Sequence, residues 1–202
     1  MSAFLGPIHT WLFHKITLQN QLTERILQLV MEEDYGKELS SCLDRRYGQL
    51  ESGTLEDIVD ESNIHGWLQS RITIVENRLA AAVTMILEHQ PEMLDQLMQC
   101  ARSFGQEQQP GQKLKPEEMY QYLDGILLNG MPCDHVNVLK ENTDKKLVWE
   151  QTAEIHEKYW SLIKGDVENY YDLRNAWIEG IVQGSGIVYA ETAANQYQLQ
   201  AA

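Results

Sequence analysis

Cysteine is scarce and scattered: Cys42, Cys100 and Cys133 are the whole complement, an odd number with no C-x-x-C pair among them. A disulfide framework is thereby excluded, and a structural zinc knuckle is not expected. Basic residues are also in deficit, 16 Lys and Arg against 30 Asp and Glu, for a formal net charge of -14. A surface of that sign repels phosphate backbones and anionic lipid, so neither nucleic acid nor a membrane surface is an expected partner. No stretch approaches the ~20 apolar residues that cross a bilayer. The opening "MSAFLGPIHTW" has neither the positive start nor the apolar run of a secretory leader, so the expected address is the cytoplasm. Gly-rich phosphate cradles, a G-x-S-x-G elbow and an H-E-x-x-H pair are missing as well, which removes the commonest nucleotide, hydrolase and metalloprotease signatures.

What is present suits one helical domain over residues 1–202, with a structural boundary, if any, in the Gln-, Gly- and Pro-rich loop at 105–116. Pro7 opens a helix at the position where its missing N–H costs nothing, and apolar residues recur at helical intervals from Ile8 to Val30, predicting helix from 7 to about 33. A shorter helix follows, ended near Gly48 or Gly53. The T-x-x-D of Thr54 to Asp57 reads as a cap for a long third helix, broken near Asn63 and reaching His89. Gly105 reads as the stop of a further helix. Val136 and Val138 alternate with polar residues before a turn-like "ENTD", predicting a small β-hairpin near 133–150 or one strand followed by helix. Helix is expected to resume from about Lys145 and to end at Gly165, Asp166 to cap a further helix, and the chain after a bend at 184–186 to continue as helix. The fold class expected is all-α, an up-down bundle of long antiparallel helices.

One stretch is written twice. "PIHTWLFHKIT" at 7–17 returns as "NIHGWLQSRIT" at 63–73, with identity at Ile8/Ile64, His9/His65, Trp11/Trp67, Leu12/Leu68, Ile16/Ile72 and Thr17/Thr73, and with Lys15 matched by Arg71. There is no third copy, which excludes a solenoid. A duplicated helical hairpin with a pseudo-twofold axis would bring the His9 and His65 imidazoles together, raw material for a transition metal (iron or zinc) or haem. The alternative is two interfacial histidines that bond the start of a neighbouring helix and pack on tryptophan. Helix-bundle iron sites also carry Glu-x-x-His, which this chain lacks.

"GMPCDHVN" at 130–137 crowds a second set of reactive groups. Cys133 is the candidate nucleophile, and His135, sharing a strand face with it, a candidate ligand; a plain buried thiol is the competing reading. His156 is a further candidate ligand. Trp11, Trp67, Tyr159 and Trp160 are candidate walls of a cofactor or small-molecule pocket, though flat side chains with polar tips suit a helix interface equally well. The functional expectation is a metal- or haem-binding helical protein with His9, His65, His135 and His156 as ligands and redox chemistry belonging to the metal. The alternatives are a metal-free enzyme using Cys133, and a homodimeric interaction module.

Overall fold

The computed structural model describes residues 4–202. Met1 to Ala3, where the leader reading begins, lie outside the described residues. The first helix, α1, spans Pro7–Leu29 and buries Leu12, Ile16, Leu22 and Ile26 on one face. It stops short of residue 33 because the chain reverses sharply at Gly36, where a Cβ would stand 1.8 Å from the Val30 carbonyl oxygen. The second helix, α2 (Gly36–Tyr47), returns antiparallel to α4 (Ile64–His89). Tyr35 stacks on His89 at one end of that pair, and Asp44 meets Arg78 further along. Between them Thr54 caps a single turn, α3 (Leu55–Ile58), and the break at Asn63 is real, its side chain accepting from the Gly66 N–H at 3.1 Å.

Up, down and up again, this path makes α1 and α4 parallel neighbours. Contacts of His9 with His65, Phe13 with Trp67 and Glu24 with Arg78 run in one direction along both helices. The two copies of the repeated stretch therefore begin side by side, within an apolar cluster that includes Leu12, Ile16, Ile64, Trp67, Leu68 and Ile72.

A second helix pair, α5 (Leu94–Gln106) and α8 (Glu168–Val182), packs backbone on backbone. A Cβ on Gly105 would lie 2.2 Å from the Trp177 carbonyl, and one on Gly180 2.1 Å from that of Arg102. Gly105 is the next-to-last residue of α5, one short of where the helix ends, and it also permits close approach. Helix α6 (Pro116–Asp124) starts with Glu118 reaching back to the Lys115 N–H at 2.8 Å. The short α7 (Glu157–Ser161) presses Tyr159 and Trp160 into the main core.

All-α is too simple. The hairpin expected near 133–150 is present as β1 (Asn137–Asn142) and β2 (Lys146–Gln151), joined at the "ENTD" turn. Two further strands, β3 (Ile187–Ala193) and β4 (Gln196–Ala201), complete an antiparallel sheet in the order β1-β2-β4-β3. Of the helix expected from about Lys145 to Gly165, residues 146–151 are strand and only Glu157–Ser161 is helical, while the helix expected after residue 186 is strand. Left-handed Gly184 and Gly186 end α8 and turn the chain, and Tyr197 and Leu199 then alternate inward beside Leu147 and Trp149. No helix among the described residues is long and apolar enough to cross a membrane.

Candidate functional site

Helical spacing sets Ile8, Trp11 and Lys15 on one face of α1, and the same period sets Tyr120 and Asp124 on α6. With the segment Asn129–Pro132 and His135–Asn137 they line a cleft of about 250 Å³. The segment is held by a tight turn in which the Met131 N–H donates to Asp134 Oδ2 at 2.8 Å, with Gly130 and His135 in the left-handed region.

Lys15 dominates the cleft's chemistry. Its residue is 3% exposed, its ammonium lies 3.8 Å from the Trp11 ring centre, and its nearest carboxylate, Asp124 Oδ1, is also 3.8 Å away. Burial pulls its pKa down to about 8, against a smaller upward pull from Asp124. Burial and the same Asp124 charge push the neighbouring Tyr120 hydroxyl up to about 12. A desolvated amine in a cleft, its pKa drawn down toward the physiological range so that a fraction is neutral there, is a marker of function rather than of stability. Nothing in the reading of the repeat singled Lys15 out. The available signal was its place four residues after Trp11, repeated by Arg71 after Trp67.

Beside the cleft lies a smaller void of about 20 Å³, which shares Tyr120, Asp124, Asn129 and Asn137 with it and is further lined by Leu127, Trp149, Ile178 and Arg174.

His9 and His65 do meet: their Nε2 atoms are 3.3 Å apart and their ring centres 5.2 Å. His9 is buried and His65 exposed. The Gly6 N–H donates to His9 Nδ1 at 2.9 Å, closing the helix N-terminus from its third residue. Neutral His9 therefore carries its proton on Nε2 and donates it to His65 Nε2. Burial, with the neighbouring His65, holds the His9 pKa below its ordinary value.

The other expected ligands are elsewhere. His156 is buried in the core, with Nδ1 3.1 Å from Glu76 Oε2 and its ring stacked 3.8 Å from that of Tyr170. His135 lines the Lys15 cleft. Among the described residues no three His, Cys, Asp or Glu side chains are grouped to share an ion. Cys133 is exposed in a single 3-10 turn, Pro132–Asp134, and the strand begins only at Asn137, so the strand face imagined for Cys133 and His135 does not exist. Of the aromatic candidates, Trp11 lines the cleft. Trp67 packs on Phe13 and under Arg71, while Tyr159 and Trp160 belong to the main core.

No family model, no curated protein and no solved structure matches this chain.

Proposed function

We propose that the protein binds a small carbonyl compound in the cleft between α1, α6 and residues 129–137, and engages it through the Lys15 amine. The observation carrying this reading is a lysine 3% exposed that opens on a 250 Å³ cleft with no carboxylate closer than 3.8 Å. The unprotonated amine adds to the carbonyl carbon. The Asp124 carboxylate takes up the protons the nitrogen sheds and passes them to the former carbonyl oxygen, which leaves as water, and an imine joins ligand to Lys15. Trp11 on one side and Tyr120 on the other exclude bulk water from the nitrogen. Treatment with borohydride in the presence of a small ketone tests this, because hydride converts the imine into a stable secondary amine. Intact mass and peptide mapping are expected to locate one adduct on Lys15. Labelling spread over the chain's lysines, or unchanged in Lys15→Met, overturns the reading.

A second reading, a transition ion at His9 and His65, rests on their 3.3 Å Nε2 separation. Two nitrogens bonded at ~2.0–2.1 Å to one tetrahedral ion lie about 3.3–3.4 Å apart. Haem iron takes its two axial ligands from opposite faces, about 4 Å apart, so the spacing favours zinc or iron held in cis. Such an ion must first move the His9 proton to Nδ1, at the expense of the Gly6 bond. Calorimetric titration with zinc is expected to show one site that His9→Gln removes. Zinc binding unaltered by that change, or no binding, rejects it.

A further inference from the structure

We propose that the ligand of the Lys15 cleft carries a carboxylate, received in the void beside the cleft by Arg174. The inference rests on the small-molecule reading above and names the ligand's class, an oxo acid.

Arg174 stands on α8 and is 7% exposed. Its Nη1 donates to Gln151 Oε1 at 2.7 Å, and its guanidinium lies over the rings of Tyr171 and Tyr197, at 4.8 and 4.6 Å. The charged groups that would normally answer it are missing. Among the described residues no carboxylate lies within ion-pair distance of Arg174, and its Nε, fully shielded from solvent, has no hydrogen-bond partner. Its electrostatic neighbours are the hydroxyls of Tyr170, Tyr171, Tyr189 and Tyr197. Burial raises the pKa of all four, and two of them, Tyr189 and Tyr197, hydrogen-bond to the guanidinium; as neutral hydroxyls they supply dipoles but no counter-charge.

Arg78, equally buried, shows what this chain does when an arginine is structural. Its Nε is as partnerless as that of Arg174, but its two terminal nitrogens bind Asp44, Glu24 and the Gly48 carbonyl, at 2.6, 2.8 and 2.9 Å, so the carboxylates are what set the two apart. In a chain with 30 acidic residues, a buried arginine left without any is reserved for an anion that comes from outside.

Placement identifies the anion. Arg174 lines the 20 Å³ void that shares Tyr120, Asp124, Asn129 and Asn137 with the Lys15 cleft. That void has room for about one oxygen-sized group, which suits one carboxylate oxygen and is too small for a phosphoryl group. The ligand body stays in the larger cleft with its carbonyl at Lys15, and Asn129 and Asn137 offer amide donors along the way. Asp124 also faces both spaces, and its charge is met there by Lys15.

Two measurements test this. In the first, borohydride trapping compares butanone with pyruvate, 4-oxopentanoate and 6-oxoheptanoate. At least one oxo acid is expected to label Lys15 ten-fold or more faster than butanone, and Arg174→Met is expected to erase that preference while butanone labelling persists. Equal rates in the unaltered protein, or a preference that survives Arg174→Met, overturns the proposal. The second measurement keeps the two readings apart. Calorimetry with hexanoate, which has no carbonyl, is expected to show binding that survives Lys15→Met and is lost in both Arg174→Met and Arg174→Lys, the latter keeping the charge without the fork. Hexanoate binding of that pattern without any oxo-acid adduct leaves Arg174 as an anion receptor and removes only the imine. Binding indifferent to both Arg174 changes removes the receptor.

Discussion

The two copies of the repeated stretch share six identical residues, yet fold into different chemistry. In the second copy Arg71 lies over Trp67 at 4.2 Å and is gripped by both oxygens of Glu51, one of them 3.1 Å from Nε. In the first copy Lys15 lies over Trp11 at 3.8 Å, in the same relation to its tryptophan, but the acid it faces stands off at 3.8 Å. Both stretches carry one local device, a cation seated on the indole one turn before it. The neighbours then decided its use. Glu51, arriving after α2, makes Arg71 a strut. Helix α6 and residues 129–137 instead leave a cleft in front of Lys15. The side chains differ in the one property that matters there, since an ammonium can lose its proton at accessible pH and a guanidinium cannot.

Exchanging the cations breaks the comparison hardest. Lys15→Arg restores the second copy's residue in the first and is expected to lower reductive trapping of a small ketone by more than about 100-fold, because the guanidinium cannot add to a carbonyl. Arg71→Lys is expected to gain no trapping, since Glu51 holds that position charged. In the unaltered protein the trapping rate is expected to rise about ten-fold per pH unit and level off near pH 8, where the Lys15 amine has lost its proton. A rate still climbing steeply toward pH 10 contradicts the assignment.

Stability separates the copies next, and in opposite directions. The Lys15 pKa falls from 10.5 to about 8 on folding. Between those values the unfolded chain binds a proton that the native protein lacks, so this residue makes stability climb with pH, and its charged form costs the fold about 3 kcal/mol below pH 8. Lys15→Met is therefore expected to raise stability at pH 7 by about 1–3 kcal/mol, or several degrees in Tm, and to flatten the climb between pH 8 and 10.5. Arg71→Met is expected to lower stability by about 0.5–1 kcal/mol, the ordinary worth of a partly exposed ion pair. Denaturant melts of both variants at pH 7 and 10 check the signs. A destabilised Lys15→Met would place Lys15 with Arg71 among the struts.

The sequence made the pairing of the copies legible and hid what the pairing serves. Pro7, the apolar period and the double motif located both helix starts and brought His9 to His65, because these are local signals repeated in register. The burial of Lys15 is not local. On its own helix it reads as an ordinary basic side chain, and only α6, more than a hundred residues later, removes it from water. Arg174 was invisible for the same reason, since what marks it is the carboxylate that no other element provides. The missed strands β3 and β4 had a weak signal in the alternation of Tyr197 and Leu199. The surrounding alanine and glutamine favour helix about as well, and pairing with β2 settled the matter. Cys133 stood out in the sequence for its reactivity alone, and its position in an exposed turn followed from the left-handed backbone at His135.

The smallest expected difference between the copies lies in their histidines. His9 closes the end of α1 by accepting from the Gly6 N–H, whereas Asn63 performs that service for α4 and leaves His65 exposed. Protonating His9 fills Nδ1 and turns the cap into two opposed donors, beside a second imidazole 3.3 Å away. Burial, and after it the neighbouring His65, depress its pKa on folding, so its contribution to stability is present above the ordinary histidine value of 6.5 and is lost as pH falls through and below it. His9→Ala is expected to cost about 1 kcal/mol at pH 7.5, the worth of one cap bond, and to lose part of that deficit relative to the unaltered protein by pH 5. His65→Ala is expected to change stability by less than about 0.5 kcal/mol at pH 7.5 and, by removing a neighbour that holds the His9 pKa down, to shrink the loss of stability toward pH 5. The relevant measurement is a set of denaturant melts from pH 5 to 7.5. Equal deficits for the two histidine variants at pH 7.5 would show that the ring pair itself, rather than the Gly6 cap, holds the helix ends together.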